Sequence, residues 1–192
     1  MSLNPAINYL QLADVIFWDF DGVIKDSVEC KTKAFKTLFL PYGVEVTSKI
    51  CAHHEANGGI SRFEKIPLYL RWAGLTVSDD QIEKYCENFS KIVLEGVINS
   101  PWVLGVNDYL LKHYKQQYFI LVTATPQNEI ELIIERLNIS HCFREVYGAP
   151  KSKAEAITNV LKLNSFDSEV VLMIGDSETD LNVAKANGIP FL

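Results

Sequence analysis

The segment Val15-Ile16-Phe17-Trp18-Asp19-Phe20-Asp21-Gly22-Val23 constrains the fold more than any other, because an apolar run that reads as a buried strand ends in two carboxylates two residues apart. Alternate side chains of a strand share a face, so Asp19 and Asp21 converge on one ligand provided the chain stays extended past Asp19. Gly22 then allows a sharp turn or a close approach of backbone to ligand. Two uncompensated carboxylates at the edge of an apolar layer repel each other and resist desolvation, so a cation is expected beside them. On its own, the segment also fits a solvated strand end followed by an Asp-Gly turn.

Three later segments share the pattern of an apolar run or helix start bearing useful polar groups. Tyr118 to Thr123 reads as a second buried strand, and the helical stretch Gln127 to Leu137 places Thr123 near a helix N-terminus, where a hydroxyl and amide hydrogens can bind an anion. Val170 to Ile174 ends in Gly175-Asp176-Ser177-Glu178-Thr179-Asp180, a further acidic cluster. Between them, Pro150-Lys151-Ser152-Lys153 puts two lysines at the start of a helix. Taken singly, each has an ordinary structural explanation as a cap, a surface lysine or an acidic first turn. Open parallel sheets bind ligands outside the carboxyl ends of their strands, where the strand order reverses. A doubly wound α/β fold would therefore gather all four segments into one crevice.

In order and over nearly the whole chain, these segments resemble the haloacid dehalogenase superfamily, in particular its phosphoglycolate phosphatase-like and β-phosphoglucomutase-like branch with a helical cap after the first strand. Asp19-Phe20-Asp21-Gly22-Val23 is similar to the family's first motif, Thr123 to the second, Lys153 or Lys151 to the third, and Gly175-Asp176-Ser177 with Asp180 to the fourth. The interval from Val23 to Tyr118 is too long for one crossover helix, and from about Asp26 to Asn99 it reads as helical. Asp26 or Ser27 can cap its first helix, Gln81 to Val97 has helical apolar spacing, and Ser100-Pro101 breaks the pattern. The expected division is an α/β core of residues 1–25 and 100–192 with a small inserted cap of residues 26–99. Within the cap, His53 to Lys65 contains paired glycines and Arg62, whose planar fork suits phosphate or carboxylate. The resemblance implies that this loop faces the crevice and that Arg62 helps to select substrate. His53 and His54, as neighbours on a helix, point about 100 degrees apart and are assigned no ligand role.

The resemblance implies a phosphatase acting on a small phosphorylated metabolite, phosphoglycolate or a sugar phosphate, with Asp19 as nucleophile. Like charges at 4 Å cost about 4 kcal/mol at an effective dielectric of 20. A hard divalent cation relieves this, and a carboxylate-rich site without Cys or His suits magnesium. Asp19, Asp176 and the backbone carbonyl of Asp21 are the implied ligands. Thr123, the amide of Ala124 and Lys153 would hold phosphoryl oxygens, with Gly22 admitting the substrate closely. Ser152 can cap a helix beginning at Lys153, which favours Lys153 over Lys151 as the phosphate lysine. Asp21 is expected to act as general acid and then base, and Asp180 to orient Ser177, Lys153 or a metal-bound water.

Other readings are separable. A dehalogenase needs no proton for its leaving halide and hence no Asp21; a mutase would reuse the same core residues. A phosphonate-cleaving enzyme would want a cap lysine, for which Lys31, Lys33 and Lys49 are candidates. A phosphate-accepting receiver needs neither Asp21 nor the cap, and a catalytically silent binding protein needs no intact motif. With 192 residues, 48% of them hydrophobic, the chain can bury one core with an insertion. A net charge of −6 without a basic run argues against nucleic acid as the main partner. No stretch is apolar enough to span a bilayer, no signal-peptide pattern precedes Asp19, and Cys30, Cys51, Cys86 and Cys142 lack paired metal spacing. These features lead to the expectation of a cytoplasmic protein, monomeric or homodimeric, with reduced thiols. Met1-Ser2-Leu3 reads in part as a cloning scar, and the resemblance implies a further strand and helix after Leu192.

Overall fold

The computed structural model describes residues 5–192; the reading of Met1-Ser2-Leu3 lies outside the described residues. Four parallel strands, β1 (Val15–Trp18), β2 (Tyr118–Pro126), β3 (Glu145–Ala149) and β4 (Val171–Ile174), form a sheet in the order β3-β2-β1-β4. The chain steps outward from β1 to β2 and β3, then crosses back to lay β4 on the other side of β1. That reversal puts the carboxyl end of β1 at the switch point, where an open sheet leaves a crevice.

All four residues of β1 are buried because helices cover both faces of the sheet. Ile16 and Trp18 pack on one face with Phe119 and Leu121, beneath Ile130 and Ile133 of α7 (Gln127–Arg136). Val15 and Phe17 pack on the other with Ile120 and Met173, beneath Ala156, Ile157 and Val160 of α8 (Lys153–Asn164) and Val183 of α9 (Glu178–Ala186). Continuous apolar runs rather than alternating ones are what a strand buried on both faces requires. Helices α1 (Pro5–Leu12) and α6 (Val106–His113) complete the core. After α9, Phe191 bridges Met173 in parallel, so the last residues run beside β4.

Four helices fill the interval after β1: α2 (Val28–Phe39), α3 (Val44–Ala56), α4 (Arg62–Trp72) and α5 (Asp79–Asn99). Their shared centre is aromatic, with Phe35 within 5.1 Å of the ring centroids of Phe89, His54 and Tyr69. The chain enters and leaves this bundle through two adjacent segments. Lys25 pairs with Trp102 in an antiparallel bridge, Asp26 N–H donates to the Pro101 carbonyl and Val103 N–H to that of Ile24. The Lys25 ammonium lies 4.5 Å from the Trp102 ring centroid and donates to the Ile98 carbonyl, so the ribbon is also fixed through its side chains. Ser27 occupies the N-cap position of α2 without capping it. Its hydroxyl donates instead to Asp21 at 2.6 Å.

Gly148 shows how tightly the crevice edge is built. A Cβ there would lie 2.6 Å from the Thr125 carbonyl oxygen and 2.7 Å from Gln127 Cα, both backbone atoms that cannot swing aside. The close approach lets β3 support the end of β2 that carries Thr123. Gly148→Ala is expected to destabilise the fold by about 1–3 kcal/mol, the usual cost of overpacking, and to lower the Tm by several degrees. An unchanged Tm would show that the end of β2 gives way freely.

Candidate active site

Lys153 is the centre of the crevice. Ser152 caps α8 by accepting from Glu155 N–H, which makes Lys153 the first helical residue and directs it across the strand ends. Its buried ammonium reaches Asp19 Oδ2 at 2.8 Å and Asp180 Oδ1 at 2.6 Å. The second Asp180 oxygen accepts from the Ser177 hydroxyl at 2.6 Å and from Ser177 N–H, while Ser177 Oγ accepts from Asp180 N–H. This capping box fixes the start of α9 and leaves Asp180 fully committed.

One lysine does not neutralise this cluster. Burial, together with the Asp180 and Asp21 charges, pushes the Asp19 carboxyl up to about 7 in spite of Lys153. Burial would push Lys153 down, but the two aspartates outweigh it and hold the ammonium above its ordinary value. Asp176, open to the crevice, is raised by partial desolvation and by Asp180.

Regular β1 pairing stops at Trp18, so Asp21 does not reach the crevice by strand alternation as the sequence pattern suggested. Asp19 N–H still donates to the Ile174 carbonyl, and then the chain turns: Ile24 and Lys25 N–H groups return to the Phe20 carbonyl. Both aspartates nevertheless line one cleft, with Thr123, Ala124, Lys153 and Asp176. Gly22 has φ +80°, and a Cβ there would overlap the Asp176 carboxylate, so glycine is required by conformation and by space. Thr123 is buried inside β2, and its Oγ1 accepts from Thr125 N–H, leaving the hydroxyl hydrogen available. Burial alone would raise the Asp21 carboxyl, but Lys31, Ser27 and Lys153 hold it below the ordinary carboxylate value. Lys31 of α2 forms an ion pair with Asp21 and donates to Thr125 Oγ1 at 2.9 Å.

Two expected ligand-reading residues are placed differently from the sequence expectation. Arg62 lines the cleft, yet its fork is taken by Glu129 of α7 through contacts of 2.6 and 2.9 Å, with Ser90 of α5 at 2.7 Å and the Phe89 ring beneath it. A buried carboxylate opposite a buried guanidinium is the closest available partner, and it binds Arg62 across the junction of bundle and core. Arg62 also starts α4, with Ser61 as its N-cap, rather than lying in a loop. Lys151 turns away from Asp19: its ammonium lies 4.6 Å from the Tyr147 ring centroid, and it lines an adjoining hollow with Pro150 and Ser152. Of the other lysines weighed from sequence, Lys33 pairs with Glu29 on the surface and Lys49 covers Trp72.

The donor set suits a hard cation. Asp19, Asp176 and Asp180 each offer a carboxylate oxygen, all within 4.8 Å of one another, and burial first, then the neighbouring carboxylates, raise the Asp19 and Asp176 carboxyls, a cost that a cation would relieve. Both Asp180 oxygens are engaged by Lys153 and Ser177, and Asp19 receives Lys153 on Oδ2 and the Phe20 N–H on Oδ1, so Asp176 is the carboxylate most open to a cation, with Asp19 beside it. No sulfur or imidazole accompanies them, which fits magnesium better than a softer metal.

Sequence reading overlooked the bundle side of the cleft. His54 and Lys65 are buried there, with Lys65 Nζ 2.9 Å from His54 Nδ1. Their signal was present as charge on an apolar stripe: Arg62, Lys65, Ile66 and Tyr69 recur at helical spacing on the buried face of α4, as Thr47, Ile50 and His54 do on α3. Thr125 and Glu129 were likewise hidden, because only the packing of α2 and α4 against the core shows what they face.

Comparison with known proteins agrees with this geometry. The family model described as haloacid dehalogenase-like hydrolase matches residues 15–192. A phosphoglycolate phosphatase of Pseudomonas fluorescens (strain Pf0-1) is 25% identical over 187 residues, covering 93% of this chain and 68% of that protein. Phosphoglycolate phosphatase 1 of Pseudomonas aeruginosa is 22% identical, covering 98% of this chain and 72% of that protein. Among solved structures, a haloacid dehalogenase-like family hydrolase of Streptococcus pneumoniae shares the fold with a TM-score of 0.67 at 21% identity, over 94% of this chain and 84% of that one. A subfamily IA hydrolase of Geobacter sulfurreducens does so with a TM-score of 0.63 at 20% identity, over 94% and 86%. With its parallel sheet, its aspartate at the switch point and a family match that runs from β1 to the last residue, the chain belongs to the haloacid dehalogenase-like hydrolases.

Proposed function

We propose that this hydrolase is a magnesium-dependent phosphatase that cleaves a small organic phosphate monoester, phosphoglycolate or a sugar phosphate, through an aspartyl phosphate on Asp19. The observation that carries the reading is a buried Asp19 at the switch point, held by Lys153 and still short of positive charge. The phosphatase names of the relatives support the reaction class. A cytoplasmic setting agrees with four unpaired cysteines and with the lack, among the described residues, of any helix long and apolar enough to cross a membrane.

Asp19, Asp176 and the Asp21 backbone carbonyl would hold magnesium, which when bound supplies charge that offsets the repulsion between Asp19 and the phosphate. An Asp19 oxygen attacks phosphorus as the ester P–O bond breaks. Lys153 and the Thr123 hydroxyl hold phosphoryl oxygens, while Asp180 keeps Lys153 in place. Asp21 gives its proton to the departing alkoxide, then removes one from the water that attacks the aspartyl phosphate. That second attack releases inorganic phosphate and restores Asp19.

The low Asp21 carboxyl is already suited to the base role. For the acid role it must gain a proton, and an anionic phosphate brought beside it raises its pKa by like-charge repulsion. Lys31, on α2, tunes that balance from the bundle side. The two chemical roles therefore divide between substrate-bound and phosphorylated states of one carboxyl group.

Asp176→Ala is expected to abolish turnover and magnesium binding, with part of the activity restored at high magnesium; full activity in a chelator would defeat the metal-dependent mechanism. Asp21→Asn should lower steady-state turnover of an aryl phosphate by about 10²- to 10⁴-fold while a stoichiometric burst of phenol survives, since that leaving group needs little protonation. Rapid quenching and mass spectrometry of the Asp19 peptide should then detect accumulated phosphoryl adduct. Undiminished turnover, or an equally long-lived adduct in the unaltered protein, would overturn the reading.

A further inference from the structure

Among the described residues, Lys65 is the buried cation of the cleft without an anionic partner. Lys153 is held by Asp19 and Asp180, Lys31 by Asp21 and Arg62 by Glu129. Lys65 has only His54, 2.9 Å away, although both are at least 95% buried. An ammonium only donates, so His54 Nδ1 accepts from it and the neutral ring carries its hydrogen on Nε2. That Nε2 is buried with no partner. Leaving a buried cation and a buried N–H unsatisfied in one place is costly, so the pair is built for something that arrives with the ligand.

We propose that Lys65 and His54 seat a carboxylate carried by the substrate alongside its phosphate. The proposal deepens the phosphatase reading and rests on it. The pair offers one positive charge and two N–H donors, which match one negative charge spread over two oxygens. A second phosphate dianion would leave excess negative charge in the same seat. Both residues line the cleft that contains Asp19, and Phe35, Ile60 and Phe89 wall it with apolar surface, so the phosphate and carboxylate ends belong to one short molecule.

The charge state agrees with an empty anion seat. Burial and the Lys31 charge bring the Lys65 ammonium down to about 7, against weaker opposition from Asp21 and Glu64, while burial, Lys65 and Lys31 bring His54 down to about 3. From α3, α2, the turn after β1 and α4 itself, His54, Lys31, Asp21 and Glu64 are the groups that set this balance; Phe89 of α5 is neutral. A bound carboxylate restores the ammonium. Preference for a carboxylated ester, read as kcat/KM, should accordingly fall as pH rises through about 7.

The test compares phosphate release from 2-phosphoglycolate and from ethyl phosphate, which has the same length and no second charge, with magnesium present. The unaltered protein should prefer 2-phosphoglycolate by about 100-fold or more in kcat/KM, and Lys65→Met should collapse that ratio. His54→Phe should reduce it by about tenfold. Equal use of the two esters by the unaltered protein, equal losses on both in Lys65→Met, or a preference for a bisphosphorylated ester would overturn the carboxylate seat. Turnover of ethyl phosphate in those cases would leave the phosphatase reading standing. If no ester is turned over, that reading fails separately, and calorimetric titration with phosphonoacetate against ethylphosphonate still decides the seat: equal affinities overturn it. Lys65→Met removes a buried charge but leaves His54 Nδ1 without its donor, so Lys65→Gln, which can still donate to it, serves as the second variant and should collapse the ratio as well.

Discussion

The contact on which the site depends is the double ion pair of Lys153 with Asp19 and Asp180. It joins the first residue of α8, the residue after β1 and the first turn of α9, three places that meet only when the sheet has folded in its reversed order. A charge this deeply buried is tolerated because each of its neighbours is itself held: Asp180 by the Ser177 capping box and Asp19 by the backbone of β4. Breaking one partner would leave the others buried and unpaired, which is why such groups behave as a unit. The site is thus made rigid by the same contacts that make it charged.

Charge is divided unevenly between the two walls of the cleft. The sheet side carries Asp19, Asp21, Asp176 and Asp180 against Lys153, a surplus of carboxylates. The bundle side presents three cations, Lys31, Lys65 and Arg62, of which Arg62 faces Glu129 of α7 on the core. An anionic ester placed between these walls would meet the cation proposed for Asp19 and Asp176 at one end and nitrogen donors at the other. Lys31 and Ser27 both link across the divide at the reacting end, each to Asp21, and Arg62 with Glu129 links across it farther out.

Much of this was legible in the sequence because the core chemistry is local. Asp19 and Asp21, Thr123, Lys153 with its Ser152 cap, and Asp176 with Asp180 each sit where an apolar run or a helix start announces them, and the parallel sheet supplies the rest. The partners of Arg62, the turning of Lys151 onto Tyr147 and the pairing of Lys65 with His54 were not legible. These depend on how α2, α4 and α5 pack against one another and against α7, contacts between residues far apart in the chain. The helical spacing of Arg62, Lys65, Ile66 and Tyr69 carried a signal for an inward face that went unread, and it could not have named what Lys65 meets there. The turn at Phe20 was hidden for a related reason: it is fixed by hydrogen bonds to Ile24 and Lys25, not by the strand pattern before it.

The paired segments around Lys25 and Trp102 carry a consequence for how such a protein can diversify. Because the backbone leaves the core at Asp26 and returns beside it at Pro101, the whole bundle hangs from two points held together by hydrogen bonds. Helices inside that loop can lengthen, shorten or change their inward residues without altering the order or register of any strand. Selection on what the enzyme recognises is thereby separated from selection on the strands, except where Lys31 and Ser27 reach Asp21. The linker is a socket, and the lineage can refit what is plugged into it while Asp19 stays where it was.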